Sequence, residues 1–87
     1  MDFRWNQWNI EHLAGHGVDP EAEEVVREAE RPYPRRIGED KLLVWGPGRG
    51  GRLLQIIFVV DEDGMAFVIH GRELTKREKG LLRRKGR

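Results

Sequence analysis

The chain contains no cysteine. A disulfide scaffold, a thiolate zinc site and a cysteine nucleophile are therefore excluded together. Serine is missing as well, so a serine nucleophile is excluded too. Long apolar runs are lacking. The longest, residues 56–60, falls far short of the roughly 20 residues a membrane-spanning helix requires. The first residues, Met1-Asp2-Phe3-Arg4-Trp5, hold no apolar segment of the signal-peptide kind. The expected setting is the cytoplasm, with no membrane partner. Aromatic residues make up only 8% of the chain, so each tryptophan weighs heavily in a small core. Trp5, Trp8 and Trp45 are expected there, with base stacking as the alternative reading.

What is present is charge, and it is unevenly placed. The 87 residues carry a net charge of only +1, and their number fits one domain spanning residues 1–87. Residues 1–30 hold two basic residues against eight acidic ones, a net of −6. Residues 72–87 hold eight basic residues against two acidic ones, a net of +6. Such asymmetry predicts that the basic end meets an anion. The alternative is that the two ends neutralise one another, within the fold or across a homodimer.

Patterning predicts an α+β fold: a small antiparallel meander of about four strands, two N-terminal helices and one C-terminal helix. Residues 9–16 read as a short helix capped by Asn9, with Trp8 packing back as a hydrophobic staple. Asp19-Pro20 reads as the start of a second helix, because Pro at the first helical position gives up an N–H that lacks a partner anyway. Its apolar stripe is Ala22, Val25, Val26 and Ala29, and Pro32 and Pro34 end it. Strands are expected at residues 35–37, 41–45, 52–60 and 65–70. The third, rich in β-branched residues, is placed at the centre, and Asp63-Gly64 marks the hairpin after it. Thr75-x-x-Glu78 is a capping box that opens a helix at about Lys76.

Several residues are candidates for chemistry. The glycine loop at 46–51 is not a phosphate loop: it lacks the terminal Lys-Ser/Thr and is followed by a strand. Arg49 on it remains available to a phosphate. His12 and His16 stand four apart on one helix face, a spacing that suits metal binding, structural work or proton transfer. No H-E-x-x-H motif is present, since residue 13 is Leu. A metal site would need a further ligand such as His70, and no metal or other cofactor is expected. Arg72, just after the last expected strand, offers two parallel N–H groups to a phosphate, or else pairs with Glu73 or Glu78. The basic segment with Lys76, Arg77, Lys79 and Arg83 can release counterions from a phosphate backbone; its alternative is a solvated helix face.

Two blocks taken together resemble the BrnT family of toxins. The first is Trp5-x3-Asn9-x2-His12-x3-His16-Gly17-Val18-x-Pro20-Glu21. The second is Arg52-Leu53-Leu54 leading into an apolar strand, then Val68-Ile69-His70-Gly71-Arg72-Glu73-Leu74-Thr75-Lys76-Arg77-Glu78. The resemblance covers essentially the whole chain. It implies a RelE-like fold, metal-independent ribonuclease activity, and RNA and a BrnA-type antitoxin as partners. It carries over His16, Arg72 and Glu78, with Thr75 as cap, and His12 through a subgroup of the family. His70-Gly71 stand where Ser-Ala is usual, Leu82 where an aromatic is common, and Gly15 where a basic residue is usual. These departures leave a weakened or lost activity open.

The expected chemistry is attack of an RNA 2′-OH on the adjacent phosphate. Arg72, helped by Arg52, would stabilise the phosphorane charge, and His16 or His12 would move protons. Glu78 completes the catalytic candidates. Arg52, Arg49, Lys76, Arg77, Lys79 and Arg83 are the candidates for RNA binding. The alternative function is a non-catalytic module on the same fold that binds nucleic acid or a protein partner. A metal-dependent enzyme built on His12, His16 and His70 is the third.

Overall fold

The strand Leu53–Val60 (β4) organises the molecule. Along it Leu54, Ile56 and Phe58 alternate toward one face, each at most 1% exposed. They pack with Leu13, Val18, Ala22 and Val25 in a single core. In this computed structural model, which describes residues 1–85, the elements run in the order β1 (Phe3–Arg4), α1 (Gln7–Ala14), α2 (Ala22–Arg27), β2 (Arg35–Arg36), β3 (Lys41–Pro47), β4, β5 (Ala66–Glu73) and α3 (Lys76–Lys85). A 3-10 turn at Arg49–Gly51 joins β3 to β4.

The architecture is α+β, with the antiparallel meander β2–β3–β4–β5. The sheet nevertheless has five strands, not four, and is mixed. Its order is β1-β5-β4-β3-β2, and β1 lies parallel to β5 through Phe3↔Ala66 and Arg4↔Phe67. A two-residue strand has no periodicity to read. It is fixed from a distance: Arg4 donates from Nε to Asp61 and from Nη2 to Asp63, both at 2.7 Å.

Helix α1 begins two residues earlier than its apolar pattern suggests. Asn6, not Asn9, is the cap. Asn9 sits three positions in and returns the bond: its Oδ1 accepts from the Asn6 N–H at 2.8 Å, while the Asn6 side chain accepts from the Asn9 N–H at 3.1 Å. The Asn9 amide also donates to the Arg4 carbonyl, so this fully buried Asn ties α1 to β1. Trp8 is therefore inside the helix and is not a staple before it. Asp19 closes a turn by accepting from the Glu21 N–H, and α2 starts at Ala22.

Strand β5 extends to Glu73, three residues beyond the expected end, so Arg72 lies in the sheet. Its pairing with β4 shifts register between Ile57 and Phe58, which face His70 and Val68 respectively. This bulge lets both Val68 and Gly71 face the core although they are three residues apart. A Cβ on Gly71 would lie 2.9 Å from Leu13 Cδ2 and 3.3 Å from Ile56 Cδ1 and Val18 Cγ1. Glycine is what permits α1 to approach β5 there. On the opposite face the same register sets Trp45, Gln55 and Arg72 side by side, with His70 one pleat along.

Candidate nucleic-acid interface

The core-distal face of the sheet carries one polar row. Gln55 stands among apolar residues of β4 and is only 8% exposed, and neighbours on both sides use its side-chain oxygen. Trp45 donates to Oε1 from Nε1 at 3.0 Å, and Arg72 donates to the same oxygen from Nη2 at 3.2 Å. Arg72 then makes a two-pronged pair with Glu78, Nη1 to Oε1 at 2.7 Å and Nη2 to Oε2 at 2.9 Å. A fourth bond runs from Nη1 to the Glu73 carbonyl.

Glu78 is bound from both sides. The capping box forms in full: the Thr75 N–H donates to Glu78 Oε1 at 2.8 Å, and the Glu78 N–H donates to Thr75 Oγ1 at 3.2 Å. The hydrogen-bonded Arg72 guanidinium and the Thr75 N–H hold the Glu78 carboxyl down at a pKa of about 2. It is ionised at any physiological pH and is a poor proton acceptor. Its geometry suits fastening α3 to Arg72.

Beside Arg72 runs a row of rings. Trp8, His12 and His16 are spaced i, i+4 and i+8 along α1 and just past its end, one helical stripe. Trp8 stacks on His12 with centroids 5.0 Å apart and planes 7° from parallel. His12 meets His16 edge-on at 5.9 Å, and His16 meets His70 of β5 at 5.8 Å. Trp8 also lies over Phe67 at 6.0 Å. His12 and His16 are exposed. His70 is half-buried, and its Nε2 is buried with no hydrogen-bond partner among the described residues. Burial first, then the charge of Arg72 and of His16 and His12, lowers the His70 pKa. Its neutral form is the favoured one in the fold.

The remaining candidates are dispersed. Arg52 donates to the Gly17 carbonyl at 2.9 Å and pairs with Glu21 at 3.0 Å. That fastens it to the α1–α2 connection, next to His16 in sequence but outside the Arg72 network. Arg49 pairs with Glu24 on the glycine turn. Lys79 lies 3.9 Å from Glu73. Lys76, Arg77 and Arg83 are exposed on α3, and no ion pair holds them among the described residues. The acidic N-terminal part thus neutralises Arg49 and Arg52, and leaves α3 its charge.

Two expectations are corrected. Trp8 is not core but 53% exposed, because the earlier start of α1 turns position 8 outward. Trp5 does pack on the core, and Trp45 is half-buried with its N–H on Gln55. Arg72 is not beyond the strand but inside it, and it pairs with Glu78 rather than Glu73. Gln55 is the site residue the pattern did not single out, and His70 was singled out only as a possible metal ligand. A lone polar residue in an apolar strand and a histidine two before an arginine were the available signals.

Among the described residues no group of three or more histidine or carboxylate side chains is arranged to hold a metal ion, and no helix is long and apolar enough to cross a membrane. A groove of about 520 Å³ on the far side of Trp45 from Gln55 in the row is lined by Tyr33, Trp45, Pro32, Pro47 and Leu82, with Glu28 and Glu30 among its other residues. Comparison with protein-family models, with curated proteins and with solved structures returns no match.

Proposed function

We propose that the chain acts on RNA as a metal-independent ribonuclease of the BrnT type, on a RelE-like arrangement of sheet and helices, and that a BrnA-type antitoxin covers its basic face. One observation carries this reading: the imidazoles of His12 and His16 lead from α1 onto His70 of β5, two residues from Arg72 on the same strand, and α3 beside Arg72 keeps exposed cations. Cations on α3 would hold the phosphate backbone. A guanidinium at the end of the row would stabilise the doubly charged phosphorane.

The step is a transesterification. The 2′-oxygen bonds to the adjacent phosphorus, and the bond from phosphorus to the 5′-oxygen breaks. An exposed imidazole, His16 or His12, takes the 2′-OH proton, and a proton is returned to the departing 5′-oxygen. The products are a 2′,3′-cyclic phosphate and a 5′-OH. His70, with its buried Nε2, is a positioning residue: it keeps a neutral ring between His16 and Arg72. Replacing the 2′-OH of a labelled RNA by hydrogen at the cleaved linkage should abolish cleavage, and the unmodified RNA should yield the cyclic phosphate. Cleavage of the deoxy linkage would overturn this chemistry.

A second reading has its own support. Arg72 has five N–H groups and four hydrogen bonds to protein acceptors. Phosphate must share the remaining Nε–H or displace Glu78. If Glu78 stays in place, the face binds RNA without cutting it. Salt-sensitive RNA binding without cleavage would favour this module over the enzyme.

A further inference from the structure

The most exposed tryptophan of the chain is the one whose stacking partners lead to the proposed reaction centre. Trp8 keeps 53% of its surface open, although Phe67 and His12 lie against it. An indole that served only to cover Phe67 would be buried on it. The near-parallel His12 ring holds the indole in a fixed orientation on a regular helix. Successive ring centroids from Trp8 to His12 and from His12 to His16 lie 5.0 and 5.9 Å apart, so the indole stands beyond the imidazoles on the same track, at the end away from Arg72.

We infer that Trp8 is a stacking platform for an unpaired base, and that the face therefore takes single-stranded rather than duplex RNA. This rests on the reading of Arg72 and the imidazole row as the RNA site, and it names the class of RNA. A flat ring accepts the π-face of any base, which only an unstacked nucleotide presents. A duplex keeps its bases inside and would meet α3 through phosphates alone. An apolar protein partner is the less favoured occupant, because the stripe beside Trp8 consists of titratable imidazoles and ends at a guanidinium.

The test uses the full chain and two fluorescent probes: a short 2′-O-methyl oligoadenylate, which cannot be cleaved, and a 2′-O-methyl duplex of matched length. Wild type should prefer the single strand. Trp8→Ala should weaken single-strand binding about ten-fold and leave duplex binding unchanged, while Trp8→Phe should retain most of the affinity. Lys76→Ala should weaken both probes alike. Wild-type affinity in Trp8→Ala, equal losses on both probes, or a wild type that binds duplex as tightly as single strand would each overturn the inference. So would a Trp8→Ala effect confined to oligomeric state, which would mark a protein interface. Base stacking by a protein that never cleaves would uphold this inference and sink only the nuclease reading. Cleavage with wild-type affinity in Trp8→Ala would do the reverse.

Discussion

Arg72 and Glu78 hold one another more firmly than most surface ions, since the pair is two-pronged and each side chain is mostly shielded. Removing the carboxylate in Glu78→Ala deletes the pair and one leg of the helix cap together. A loss of about 1–2 kcal/mol in unfolding free energy is expected, readable by urea denaturation. The pH dependence follows from the folded-state pKa of about 2 against an ordinary 4.5. The unfolded chain takes up this proton first as pH falls, so stability from Glu78 is complete above about 4.5 and is lost toward 2. Glu78→Gln should lack that part of the acid slope; an unchanged slope would argue against the pair. Gly71 makes a different residue-scale prediction. In Gly71→Ala the new methyl meets Leu13 at 2.9 Å, with an expected cost of about 1–3 kcal/mol from overpacking. A melting temperature equal to wild type would mean α1 does not sit this close to β5.

At the scale of elements, the α1–β5 junction is expected to weaken in mild acid. His70 has Arg72 on its own strand and His12 of α1 and His16 of the turn after it as its charged neighbours, with no carboxylate among the groups that shift it. Its pKa is lowered on folding, so its neutral form belongs to the native state. Stability should be full above the ordinary 6.5 and fall as pH drops below it, because the unfolded chain protonates first. His70→Leu should flatten the melting curve series between neutral and mildly acid pH; an identical slope would remove His70 as the cause. The central strand β4 answers to packing alone. Phe58→Ala should cost about 3–5 kcal/mol, enough to unfold much of a domain this small. The meander, the centrality of β4 and the Thr75–Glu78 cap were legible, because alternation, β-branching and capping chemistry are local. The start of α1 was not: Asn6 and Asn9 are equally good caps by type, and only the bond from Asn9 to Arg4 decides between them. Nor was the end of β5, since the bulge at Ile69 interrupts the alternation that would have carried the strand to Arg72.

For the whole molecule, the opposed charges of the two ends resolve into distinct roles. Glu21 and Glu24 take up Arg52 and Arg49, while α3 keeps Lys76, Arg77 and Arg83 exposed. Composition left an anionic partner and mutual neutralisation of the two ends both open, and which cations stay open depends on pairings across some 25 to 31 residues that no local pattern contains. If α3 meets phosphates, changing Lys76, Arg77 and Arg83 together to Ala should lower the slope of log affinity for single-stranded RNA against log salt by about 2. An unchanged slope would put the RNA elsewhere. The central claim, that this face cuts RNA without a metal, is tested most directly by incubating the folded protein with RNA rich in unpaired segments in excess EDTA, beside Arg72→Ala. Cleavage by wild type should survive the chelator and disappear in the variant. Intact RNA with folded wild-type protein, or equal cleavage by Arg72→Ala, would contradict it.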